Sequence, residues 1–135
     1  MKHLTVQAKI ESLEEVIDFI QEEMSYVAQK IVNQISIVVE EIFANIANYA
    51  YPYNGGMAEI SVDTTNDVLT MSFEDSGEPY NPLEKDDPDI TLSAEMRDIG
   101  GLGIFMAKKL SDSISYNYKD GKNILTITKN ICRNG

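Results

Sequence analysis

Apolar residues recur along the stretch 31–53 at spacings of three and four: Ile31, Ile35, Val38, Ile42, Ile46 and Tyr49. That period is the mark of one helix face. Val39 and Phe43 widen the arc, so the helix over 29–50 is expected to be largely buried. A polar line, Glu41, Asn45 and Asn48, follows the same turns on another side. Residues three and four apart are neighbours on a helix. A water-facing side accounts for such a line in a lone helix, so its meaning depends on what the rest of the chain supplies.

Taken in order, residues 2–10 alternate around Leu4, Val6, Ala8 and Ile10, which predicts a strand. His3 at its start reads as structural or solvated rather than catalytic. Ser12 and Glu15 have the spacing of a capping box, and Leu13, Val16, Ile17, Ile20, Met24 and Val27 mark one face of a first helix. The break before the second helix is placed at 25–28. Pro52 stops that second helix, and Asn54-Gly55-Gly56 makes a turn. Strands at 58–64 and 68–74 alternate in polarity around Thr65-Asn66-Asp67, a hairpin with one covered face. The stretch 75–103, DSGEPYNPLEKDDPDITLSAEMRDIGGLG, holds three prolines and an acidic run. A connection this long in a small domain is commonly functional, and the part over 78–99 reads as a lid. A helix over 102–110 follows the glycine-rich turn, then strands at 113–119 and 123–129 joined at Asp120-Gly121. The order predicts an α+β two-layer sandwich: a mixed, mostly antiparallel sheet with about three helices on one face, in a single domain over 1–135.

Composition adds mainly exclusions. The net charge is −11, which argues against nucleic acid, whose phosphates are bound chiefly by neutralisation, and against an anionic membrane surface. No apolar run is long enough to span a bilayer and no signal-peptide core opens the chain. The single cysteine, Cys132, forms no internal disulfide. A cytoplasmic protein is the expectation.

Three pieces carry candidate chemistry. An asparagine oxygen such as that of Asn45 is a hard neutral ligand for magnesium, and Glu41, one turn away, is placed to accept a hydroxyl proton. Glu40 points about 100° away from it, as successive helix residues do. Asp75, at a strand end, can accept an exocyclic amine, and Gly77 lets a flat base approach the backbone. Gly100-Gly101-Leu102-Gly103 opens a helix, where free N–H groups and the dipole favour phosphate.

Together, in this order, they resemble the Bergerat-fold ATPases, the group of gyrase-type topoisomerases, heat-shock chaperones and histidine kinases. Glu41 and Asn45 match its N box, Asp75 and Gly77 its first glycine box, Gly101 and Gly103 its second. The stretches DSGEPYNP and GGLGIFMAKKLSDSISY bring the chain nearest to the bacterial anti-sigma factor serine/threonine kinases. The resemblance runs from the first strand to the last. It implies ATP and Mg2+ as cofactors and a protein kinase with Glu41 as catalytic base. The nucleotide site it implies comprises Asn45, Asn48, Asp75, Gly77, Gly100, Gly101, Leu102 and Gly103, with Asn45 on the metal. The implied partners are a sigma factor and an anti-sigma factor antagonist, in a homodimer. The chain also departs from the pattern. Tyr49 stands where anti-sigma kinases carry histidine, and Asn48 where histidine kinases carry lysine. Arg97, Lys108 or Lys109 is a candidate to compensate, although Lys108 and Lys109 also suit a helix C-terminus as surface charges. The departures keep open an ATP-binding switch with little phosphoryl transfer. A histidine-kinase catalytic module is a further alternative, although the chain carries no helix with a phospho-acceptor histidine.

Overall fold

The computed structural model describes residues 1–53, 55–84 and 101–132. Five strands form one sheet: β1 (Lys2–Gln7), β2 (Met57–Thr65), β3 (Val68–Asp75), β4 (Ser113–Lys119) and β5 (Lys122–Asn130). Their spatial order is β1-β2-β3-β5-β4. All four pairings are antiparallel rather than mixed. The connectivity explains this. Two helices intervene between β1 and β2 and return the chain to the end it left, pairing Gln7 with Met57. The pairs β2–β3 and β4–β5 are hairpins. Both turn on two residues with positive φ, Asn66 (54°) with Asp67 (62°), and Asp120 (55°) with Gly121 (78°). That backbone matches the twist of the flanking strands.

Among the described residues, three α-helices cover one face: α1 (Leu13–Gln21), α2 (Gln29–Tyr49) and α3 (Gly101–Leu110). Inward strand residues Val6, Ala58, Ile60, Val62, Leu69, Met71, Phe73, Leu125 and Ile127 join one apolar core with Val16 and Ile20 of α1, seven residues of α2, and Ile104 and Ala107 of α3. The opposite sheet face carries Thr70, Ser72, Glu74, Thr126 and Thr128, partly buried. This is the expected two-layer α+β sandwich.

α2 is the axis of that core. Val32, Ile35, Val38, Val39, Ile42, Phe43 and Ile46 are buried, which follows the periodicity except at its ends. Ile31 is only partly covered, and Tyr49 is 59% exposed. The helix begins after Ala28, whose ψ of 140° breaks it from the preceding segment, within the stretch expected for the break. Its last turn closes with the Ala50 N–H on the Ile46 carbonyl, ahead of Pro52.

One local expectation fails. Ser12 makes no capping hydrogen bond to α1. The chain enters α1 through a 3-10 turn at Ile10–Ser12, so Ser12 already has helical φ and ψ (−84°, −8°). A capping side chain needs the extended backbone of a true N-cap to reach the free N–H groups. The first strand also ends at Gln7 instead of Ile10, because the chain turns into this 3-10 segment. His3 has the structural role expected of it, with Nδ1 at 2.8 Å from the Ser61 hydroxyl on β2.

Candidate functional site

The alternation that buries Phe73 on β3 also turns Asp75, two residues on, towards the helices. Asp75 is the last residue of the strand and only 7% exposed. It forms part of the floor of a cleft between the sheet and the C-terminal half of α2. Ile42, Ile46, Phe73 and Leu125 supply apolar wall, and Tyr49, Tyr80 and Tyr116 supply aromatic wall. Asn45 is the α2 residue that adds an amide to this lining.

A buried carboxylate is costly unless hydrogen-bonded. Asp75 Oδ1 accepts the Gly77 N–H at 2.9 Å and an Asn123 Nδ2 proton at 2.9 Å. Asn123 is its cross-strand partner on β5 and is equally buried. The same Nδ2 donates to the Glu78 carbonyl at 2.9 Å. Asn123 Oδ1 accepts the Tyr80 N–H at 3.0 Å and the Tyr116 hydroxyl. Desolvation raises the Tyr116 phenol above its ordinary value, and a tyrosine hydroxyl is already protonated at neutral pH without that rise.

The turn after Asp75 lies directly on the end of α2. The Glu78 N–H reaches the Ala50 carbonyl at 3.3 Å, and a methyl group added at Gly77 would strike that same carbonyl. Glycine is therefore required by the close approach of two backbones. Tyr51 braces the other side. Its hydroxyl accepts the Ser76 N–H and donates to the Met57 carbonyl, both at 2.7 Å.

Glu41 lies one turn before Asn45 and is partly buried, whereas Glu40 is exposed. A Cβ built on Gly103 would collide with Glu41 Oε2, so this carboxylate rests against the first turn of α3. Gly101 and Leu102 begin that helix. Gly100, Arg97 and most of the expected lid lie outside the described residues. Asn48 is exposed and is not part of the cavity lining. Lys108 and Lys109 occupy the last turn of α3, with Lys109 Nζ 5.4 Å from the Phe105 ring centre. Among the described residues, no lysine or arginine lines the cavity.

The chemistry of this lining suits an adenine nucleotide. Flat apolar and aromatic walls could receive a base, and a buried acceptor could meet an amino group. Asn45 carries an oxygen of the kind that could hold a magnesium ion, and the first turn of α3 carries N–H groups of the kind that could hold phosphates.

Sequence reasoning missed Asn123, Tyr116, Tyr80 and Tyr51. For Asn123 a signal existed. It shares an inward register with Leu125 and Ile127, and a polar residue there asks for a buried partner.

The sequence model of the histidine kinase-like ATPase domain family matches residues 6–129. The serine/threonine-protein kinase BtrW of Bordetella bronchiseptica is 24% identical over 95 residues, covering 70% of this chain and 67% of BtrW. Among solved structures, the RsbU and RsbW domains of Rv1364c from Mycobacterium tuberculosis align over 97% of this chain with a TM-score of 0.63 and 15% identity. This chain spans 33% of that one. The nucleotide-free catalytic domain of histidine kinase ThkA aligns over 97% of this chain and 98% of its own, with a TM-score of 0.53 and 15% identity. These two likenesses show the Bergerat ATPase fold.

Proposed function

Because the chain belongs to the histidine kinase-like ATPase domain family, we propose that it is an ATP- and Mg2+-dependent serine/threonine protein kinase and anti-sigma factor. Its protein substrate under this reading is an anti-sigma factor antagonist, its other partner a sigma factor, and its working form a homodimer. The observation that carries the reading is the buried Asp75 carboxylate in an apolar and aromatic cavity, with Asn45 on the facing helix. The similarity to BtrW supports the kinase class.

Asp75 receives the amino group of the base, and Gly77 keeps the backbone close enough for the ring to enter. The N–H groups of Gly101, Leu102 and Gly103, at the positive end of α3, face negative charge. Asn45 offers its side-chain oxygen to magnesium. Bound ATP supplies the phosphoryl group. Glu41 accepts the hydroxyl proton of the substrate serine or threonine while that hydroxyl oxygen bonds to phosphorus and ADP departs. Positioning and electrostatics supply most of the rate in such transfers.

A second reading, an ATP-controlled binding switch, is favoured by a specific observation: Tyr49 lines the cavity where relatives place a basic residue, and no cation joins it among the described residues. Incubation with radiolabelled ATP, magnesium and a candidate antagonist separates the two. Label on the antagonist supports the kinase. ATP-dependent partner binding without label supports the switch.

A further inference from the structure

We infer that Asn123 is a positioning residue that sets the base selectivity of this pocket by fixing the carboxylate of Asp75. The inference rests on the nucleotide reading of the site given above.

A primary amide has two N–H donors and two acceptor lone pairs. At Asn123 all four are used. Nδ2 donates to Asp75 Oδ1 and to the Glu78 carbonyl, both at 2.9 Å. Oδ1 accepts from the Tyr80 N–H at 3.0 Å and from the Tyr116 hydroxyl. The partners dictate which way the amide points. Turned over, it would set an oxygen against the Asp75 and Glu78 oxygens, and an NH2 group against the Tyr80 N–H. Serine or threonine has one hydroxyl proton and could serve only one of Asp75 and Glu78. The amide serves both, and thereby joins the recognition carboxylate to the Glu78–Tyr80 wall.

The consequence falls on Asp75. Its Oδ1 holds two protein donors, Gly77 N–H and Asn123 Nδ2. Among the described residues Oδ2 receives none, so it is the oxygen left for a ligand. A carboxylate held in this way is an acceptor with a fixed direction. It favours a base that presents an amino group, and disfavours one that presents a carbonyl at the same edge, where two acceptors would face each other. Without Asn123, the carboxylate can rotate, Glu78 and Tyr80 lose their tie to β5, and either base edge is tolerated.

The test compares ATP with inosine triphosphate, whose base carries a carbonyl in place of the amino group. Affinities of both are measured by calorimetry in millimolar magnesium, alongside thermal melting. The proteins are the wild type, Asn123→Leu, which keeps similar bulk without polar atoms, and Tyr116→Phe, which removes one donor to Asn123. Wild type is expected to prefer ATP. Asn123→Leu is expected to reduce the ATP-to-inosine-triphosphate affinity ratio by about tenfold, the scale of one ordinary hydrogen bond. Tyr116→Phe is expected to reduce it by a smaller factor. Should Asn123→Leu fail to fold, Asn123→Ala, which also removes every polar atom of the side chain, carries the same comparison. Variants that melt lower but keep the wild-type ratio overturn the inference, since Asn123 would then be structural alone. Wild type that binds neither nucleotide overturns the site reading and this inference with it. Wild type that binds ATP, with a ratio insensitive to Asn123 and Tyr116, overturns this inference alone.

Discussion

The two ends of the candidate site are built differently. Around Asp75 the hydrogen bonds are already made: Gly77, Asn123, Tyr116, Tyr80 and the Glu78 carbonyl form one connected set without a ligand. Around Glu41 and Asn45 the arrangement is open. Neither side chain has a hydrogen bond to a described residue, and the carboxylate rests against Gly103 at the start of α3. The difference is between a corner organised in advance and one completed by what binds. A base is recognised by fixed directions, so its corner gains from rigidity. Under the kinase reading, a phosphoryl group has to be reached by a protein hydroxyl and a metal ion, so that corner has to stay accessible.

This contrast predicts that mutations at the open end leave the fold nearly unchanged, with Glu41 acting on chemistry and Asn45 on metal-dependent binding. Glu41→Gln keeps shape and polarity but cannot take a proton. Phosphoryl transfer to the antagonist should fall about 10²–10⁴-fold, as for loss of a general base, while ATP affinity measured by calorimetry stays near the wild-type value. Transfer at the wild-type rate would remove Glu41 as the base. Asn45→Ala, by contrast, should lose the magnesium dependence of ATP binding, seen by titrating with and without the metal.

At the closed corner the expectation reverses, and binding should suffer before chemistry. Asp75→Asn replaces an acceptor-only group by an amide. It should weaken ATP by about 10–100-fold, the cost of a hydrogen bond to a charged group, about 1.5–3 kcal/mol. Unchanged ATP affinity would separate Asp75 from the site. Gly77→Ala forces a methyl group towards the Ala50 carbonyl. It should cost about 1–3 kcal/mol of stability, the range for overpacking a close contact, read as a lower denaturation midpoint with an unchanged slope.

The two corners also differed in how legible they were. Glu41, Asn45, Asp75 and Gly77 stood out because each sits at a fixed offset from a periodic pattern or a turn. The alternation in 68–74 places Asp75 at a strand end, and the period of α2 sets Asn45 one turn from Glu41. Asn123 lies 48 residues from Asp75, and only the pairing of β3 with β5 makes them neighbours. The strand order had to be known first. Ser12 failed for a local reason: a 3-10 turn ahead of α1 changed the backbone on which the capping pattern depends. Asn48 shares the helical line with Asn45, yet it is exposed and absent from the cavity lining, a difference that spacing alone does not carry.

The smallest effect expected is at Tyr51, outside the cavity. Its hydroxyl joins Ser76, next to the recognition carboxylate, to Met57 at the start of β2. Gly56 gives its ring room, since a Cβ there would meet the ring atoms. Tyr51→Phe keeps the ring and removes both hydrogen bonds. Both lie in exposed surroundings, so water replaces the lost partner and the cost should be about 0.5–1.5 kcal/mol. For a domain of this size that is a fall of about 2–6 °C in melting temperature. Because Gly77 and Asn123 still hold Asp75 from the other sides, ATP affinity should stay within about threefold of wild type. A loss as large as that of Asp75→Asn would mean that the corner is held from the Tyr51 side and not from β5, and would shift the organising role away from Asn123.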